Sequence, residues 1–177
     1  MRERYGFMAE FDDPRLLADA AGAAYREGYR KMDAYSPFAI EGLDEALGLA
    51  RTKIPFVFLI MGIAGAVGGF LLLYYISVVY YPINVGGRPL NSWPAYIPIS
   101  FELTVLSAGT IGFLALLIIN RLPMPYHPVF NSASFAKHAS NDRFYLCIEA
   151  DDPLFDPDRT RDFLMGLNPM GVIELEK

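Results

Sequence analysis

The stretch IPFVFLIMGIAGAVGGFLLLYYISVVYY, residues 54–81, carries no charged side chain. It exceeds the roughly 20 apolar residues needed to cross a hydrocarbon core about 30 Å thick, so it is expected to span a membrane. A second apolar segment, residues 95–120, is interrupted early by Pro98 and Glu102 and then runs unbroken through GFLALLII, long enough to return. Arg51 and Lys53 precede the first segment and Arg121 follows the second, whereas the loop between them, residues 82–94, offers only Arg88. Cations favour the cytoplasmic side. The expected arrangement is therefore a two-pass hairpin in a cytoplasmic (inner) membrane, with a periplasmic loop and both termini cytoplasmic. Tyr74, Tyr75, Tyr80, Tyr81, Trp93 and Tyr96 gather at the loop end, where amphipathic rings settle among headgroups.

Small residues mark the helix faces. Gly62, Gly65, Ala66 and Gly69 form overlapping small-xxx-small patterns in the first segment, and Ala108, Gly109 and Gly112 repeat the theme in the second. Such faces let backbones approach closely in a solvent that supplies no hydrophobic drive for helix association. Two readings stand: the helices pack on each other, or Gly62, Gly65, Ala66, Gly69, Ala108 and Gly112 meet an external partner. Glu102 is the sole ionisable side chain inside either apolar run. Placed deep in a bilayer it would be protonated or paired and a candidate for a proton path. If the helix starts at Pro98, Glu102 would instead complement the dipole of a first turn.

The flanking segments read as two halves of one water-soluble domain. Residues 5–11 (YGFMAEF) read as a strand, and Asp13-Pro14 supplies an N-cap and a first-turn proline for a helix to about Glu27, with Leu17, Ala20, Ala21 and Ala24 on one face. Gly28 ends it, and residues 29–35 read as a second strand. After the hairpin, residues 143–150 (RFYLCIEA) read as a strand, Asp156-Pro157 starts a helix to about Leu167, and GVIELE, residues 171–176, closes with a strand. The phrases EFDDP and EADDP place an acidic doublet after the first strand of each half, Asp12-Asp13 and Asp151-Asp152. Capping explains these aspartates better than a hard cation does.

Two βαβ units, each too small to bury its own sheet, are expected to combine into an α+β, ferredoxin-like cytoplasmic domain with the transmembrane hairpin inserted between them. The organisation is then residues 1–50 as the first half, 51–121 as the hairpin, 122–142 as a proline-stiffened linker and 143–177 as the second half. A short amphipathic helix is expected before the first span, within SPFAIEGLDEALGLARTK.

Composition removes several functions. The 177 residues are 53% hydrophobic, and their net charge of −5 leaves no basic field for a nucleic acid. The single cysteine, Cys147, rules out an internal disulfide, a multi-cysteine zinc site or an iron–sulfur cluster held by this chain alone. Residues 1–5 (MRERY) do not open a signal peptide. His127 and His138 sit outside the apolar runs and in no metal-binding spacing, no C-x-x-C-H attaches haem, and no Gly-rich phosphate loop is present. No catalytic residues, cofactor or metal ligands are assigned.

The phrases YGFMAEFDDP, RKMDAYSPFAIEGLDEALGL, YYISVVYYPINVGGRPLNSWPAYIPISFELTVL, HPVFN and DRFYLCIEADDPLFD together resemble the D subunit of alternative complex III over nearly the whole chain. That resemblance implies membership in a respiratory or photosynthetic assembly that oxidises quinol and passes electrons to a cytochrome c, a cupredoxin or an associated oxidase. It implies partners that hold the redox centres: multihaem and monohaem cytochrome c subunits and an iron–sulfur subunit, beside polytopic quinol-binding subunits. Haem c and iron–sulfur clusters belong to those partners, and this chain is implied to be a non-catalytic, cofactor-free subunit supporting the membrane arm; assistance to proton transfer is a separate expectation that rests on Glu102 alone. The competing reading is a self-standing two-pass sensor whose ferredoxin-like domain binds a small ligand.

Overall fold

The computed structural model describes residues 4–177; residues 1–3, part of the segment read for a signal peptide, lie outside the described residues. The chain divides into two compact units: one holds the described residues up to Ala50 together with Pro125–Lys177, and the other is Arg51–Met124.

The first unit is built on an antiparallel sheet of four strands, β1 (Arg4–Phe11), β2 (Met32–Tyr35), β3 (Phe144–Glu149) and β4 (Gly171–Glu176), in the order β2-β3-β1-β4. Helix α1 (Pro14–Glu27) starts where Asp13 accepts the Arg15 N–H at 2.7 Å and ends at Gly28, whose φ of 114° only glycine adopts without strain. Its buried residues are Leu17, Ala20, Ala21 and Ala24, the face its periodicity indicates. Helix α6 (Pro157–Met165) is capped by Asp156, which accepts the Arg159 N–H at 2.9 Å. These helices bury one sheet face through Phe7, Ala9, Phe11, Leu146, Ile148 and Leu164. Tyr29 and Thr160 share a buried hydrogen bond of 3.1 Å that ties the end of α1 to α6.

The second sheet face is covered by residues read from sequence as linker. A 3₁₀ turn (Pro128–Asn131) and helix α5 (Ala133–His138) lay Val129 and Phe135 on Met8, Tyr145, Cys147 and Leu175. Ser132 starts α5 by accepting the Phe135 N–H at 3.3 Å. Phe135 meets Tyr35, Phe130 and Tyr145 at centroid distances of 5.1–5.3 Å, so aromatic packing rather than helical periodicity holds this layer. The expected amphipathic helix before the hairpin is a single turn, α2 (Leu43–Ala46).

The second unit is a helical hairpin. Helix α3 (Ile54–Tyr74) continues as a π-helical turn (Tyr75–Tyr80), and a 3₁₀ turn (Trp93–Tyr96) leads into α4 (Ile97–Ile119). The two continuous segments, Ile54–Tyr80 and Trp93–Ile119, are long and apolar enough to cross a membrane.

Candidate functional site

The hairpin seam brings together most of the small residues singled out in the sequence. A Cβ built on Gly65 would fall on the Ser107 hydroxyl and lie 2.5 Å from the Leu103 carbonyl oxygen. At Gly69 it would lie 3.0 Å from the Leu103 side chain and 3.1 Å from the Ser100 Cα. Gly112 receives the Phe58 ring, while Gly62 leaves ordinary contact distance, 3.8 Å, to Ala108 and Thr104. Ala66 borders a shallow apolar groove with Phe58, Leu59, Gly62, Ile63 and Thr104. Gly65, Gly69 and Gly112 therefore face the chain's own opposite helix. Gly68 and Gly109 have nothing within 4 Å and lie open.

Three hydroxyl residues on α4, not singled out from sequence, complete the seam. Ser107 donates to the Met61 carbonyl oxygen across the helices at 2.8 Å, and Thr104 donates back to the Ser100 carbonyl oxygen at 2.7 Å. The spacing 100, 104, 107 is one helix face, so the signal was present as a polar stripe opposite the glycines. An interhelical hydroxyl-to-carbonyl bond adds about 0.6–2 kcal/mol in a bilayer.

Glu102 is the sixth residue of α4, which starts at Ile97, and so lies beyond the first turn, which contains no acidic residue. At 1.5 Å per residue it sits about 9 Å along the axis from Tyr96. It is exposed and borders an apolar groove of about 480 Å³ with Ile99, Phe101, Leu103, Val105 and Leu106.

A polar cluster gathers around Tyr5 on the second sheet face. A register shift between Arg4 and Gly6 turns Tyr5 onto the face of Met8, the re-aiming that a bulge provides; a side chain at Gly6 would collide with the Ile148 carbonyl oxygen. Tyr5 donates to Glu149 at 3.1 Å and lies 3.3 Å from His127 Nε2. His127 Nδ1 accepts the Val129 N–H at 3.4 Å, which assigns the ring proton to Nε2 and directs it to the Tyr5 oxygen. Burial and the neighbouring Glu149 carboxylate raise the Tyr5 hydroxyl well above its usual range, keeping it a neutral donor. Burial and Glu149 also raise Asp33, against the pull of His127. Cys147, on the same face, is pushed up to about 12 by burial and then by Glu149 and Asp33, so it is a neutral thiol rather than a nucleophile at physiological pH.

The acidic doublets do different work. Asp13 caps α1. Asp152 does not start a helix: buried, it accepts the Arg30 and Lys31 N–H groups at 2.7 Å each and the Leu154 N–H at 2.8 Å. Those first two bonds occupy the donors of residues 30 and 31, which is why β2 begins at Met32 rather than at 29. Among the described residues no group of three or more His, Cys, Asp or Glu side chains could hold a metal ion. His138 pairs with Asp142 at 2.9 Å on the surface.

An antiparallel α+β unit joined to a hairpin of two membrane-length apolar helices, with its polar clusters tied up in capping and hydrogen bonding, defines an α+β protein of membrane-hairpin type. The comparisons place it further: residues 5–174 match the family model described as alternative complex III, ActD subunit. The chain belongs to that family, and so is a subunit of a quinol oxidoreductase complex of electron transport. No curated protein matches the chain.

Proposed function

We propose that this chain is a cofactor-free integral subunit that supports assembly of the membrane arm of alternative complex III. The observation carrying the reading is the self-complementary hairpin seam: Gly65 and Gly69 against Leu103, Ser107 and Ser100. A hairpin that closes on itself leaves its outer faces, including Gly68 and Gly109, free for lipid and for polytopic partners. In this reading both termini are cytoplasmic, as the flanking Arg51, Lys53 and Arg121 favour. The central pair β3-β1, flanked by β2 and β4, supports describing the soluble unit as ferredoxin-like with the hairpin inserted between its halves. Glu102, exposed beside an apolar groove, is proposed to assist proton transfer against a partner surface.

The test is mild-detergent purification through a tag on this chain, followed by haem spectroscopy and identification of every co-purifying polypeptide. Multihaem and monohaem cytochromes, an iron–sulfur subunit and polytopic subunits in constant ratio are the expected result. A colourless homo-oligomer would overturn it in favour of a self-standing sensor.

A further inference from the structure

We propose that the loop end of the hairpin is a binding site for the phosphate of a membrane phospholipid, with Arg88 as its anion-binding residue. The proposal rests on the reading that the hairpin spans a membrane. A cavity of about 260 Å³ lies between the π-helical end of the first segment and the loop, lined by Ile76, Ser77, Tyr81, Arg88, Leu90 and Tyr96 among others. At about 30 Å³ per water in the liquid, this is room for about nine waters, a volume suited to a phosphodiester and its glycerol.

Arg88 is the sole cation between Lys53 and Arg121, and its side chain forms no ion pair among the described residues. A guanidinium presents a planar donor fork that matches two phosphate oxygens at once. The loop that carries it is fastened: Tyr96 donates to the Leu90 carbonyl oxygen at 3.0 Å, Ser92 to the Pro89 carbonyl oxygen at 2.6 Å, and the Gly87 N–H to Asn84 at 3.0 Å. The cation is thus presented on a braced loop.

Position separates a lipid phosphate from a free one. Arg88 and the hydroxyl-bearing Ser77 and Tyr81 share the cavity with Ile76, Ile83 and Leu90. The cavity also sits at the level of Trp93 and the tyrosine cluster, where headgroups lie. An apolar wall adds nothing for inorganic phosphate but matches the glycerol and ester region of a phospholipid.

The test uses the full chain purified from bacterial membranes in mild detergent, with bound phospholipid counted by native mass spectrometry. Wild type should keep phospholipid through washing. R88Q should lose it by about tenfold or more, as expected for removing a charge-assisted fork, and S77F, which fills the cavity without touching the charge, should lose it as well. Inorganic phosphate in millimolar excess should not displace it. Equal retention by wild type and R88Q overturns the site, and displacement by inorganic phosphate overturns the lipid assignment. Exclusion of lipid in the intact complex, with Arg88 cross-linking to a partner carboxylate, makes this a protein contact and also overturns it. Carbonate extraction of the same membranes separates the two levels. A chain that stays in the pellet while R88Q retains lipid refutes the site alone, whereas release of wild type into the supernatant refutes the spanning reading beneath it.

Discussion

Replacing Asp152 by alanine should be among the most damaging single changes in the sheet unit. The carboxylate accepts three backbone N–H groups, from Arg30, Lys31 and Leu154, at 2.7–2.8 Å, and only 5% of its surface is exposed. Each donor stranded without a partner costs about 1–3 kcal/mol. Taking the low end, because some water will enter the space left behind, the loss is about 3 kcal/mol. With a urea dependence of about 1–3 kcal/mol per molar, the midpoint should fall by about 1–3 M. Cys147 supplies the assay: it is the sole cysteine and is 1% exposed in the sheet, so the urea dependence of its alkylation in detergent solution reports opening of that unit. Asp152→Asn, which keeps an acceptor oxygen but loses the charge, should fall about half as far.

The acid side follows from the same bonds. Burial works to raise the Asp152 carboxyl, but the three N–H donors and nearby Lys31 outweigh it and hold it below the usual range. A carboxylate depressed in this way contributes fully above the ordinary value of about 3.9 and is lost as pH falls through the folded value. The difference between wild type and Asp152→Asn should be flat from pH 5 to 8 and shrink below about 4. A shift under about 0.5 M for the alanine variant would refute the reasoning, since it would mean that the three donors find equivalent partners elsewhere.

Other outcomes follow from single contacts. Cys147, pushed up to about 12, should resist iodoacetamide in the folded chain at pH 8.5; because the folded value is raised, its contribution to stability holds below about 8.5 and drains away as pH climbs, which alkaline denaturation will read as earlier loss in wild type than in Cys147→Ala. Gly65→Val should disturb the hairpin by about 1–3 kcal/mol through overpacking against Ser107 and Leu103, seen as increased protease sensitivity of the loop in isolated chain. Gly68→Val, with nothing within 4 Å, should leave the isolated hairpin unchanged and lower recovery of the purified complex if that face meets a partner; unchanged recovery assigns it to lipid. Glu102→Gln should lower coupled proton movement with normal assembly, and an unchanged proton-to-electron ratio would remove Glu102 from any proton path.

The elements were legible where local chemistry repeats. Asp13-Pro14 and Asp156-Pro157 announced both helices, short apolar and aromatic runs announced β1 and β3, and the long apolar runs announced the hairpin. What stayed hidden was decided by distant partners. The layer formed by residues 128–138 lacks a helical apolar stripe and exists because Phe135 finds Tyr35 and Tyr145. The likeness of EFDDP to EADDP suggested equal roles, but tertiary contact with residues 30 and 31 redirected Asp152. In the hairpin the glycines were visible, yet spacing alone could not say which face they served; Ser107 reaching Met61 answers that for Gly65. Tyr5 meeting His127 depends on a register shift no pattern records.

The strand order β2-β3-β1-β4 has a consequence for biogenesis. β1 and β2 never pair with each other; each waits for β3, whose first residue is Phe144. A ribosome adding about 5–20 residues per second therefore leaves β1 without a neighbour for roughly ten seconds while both apolar segments emerge. During that interval the amino-terminal half is an apolar strand and helix with an open edge, the kind of segment a chaperone holds. Both apolar segments are synthesised before the sheet can close, so a chain stalled between residues 120 and 144 would carry the whole hairpin beside an unclosed sheet half.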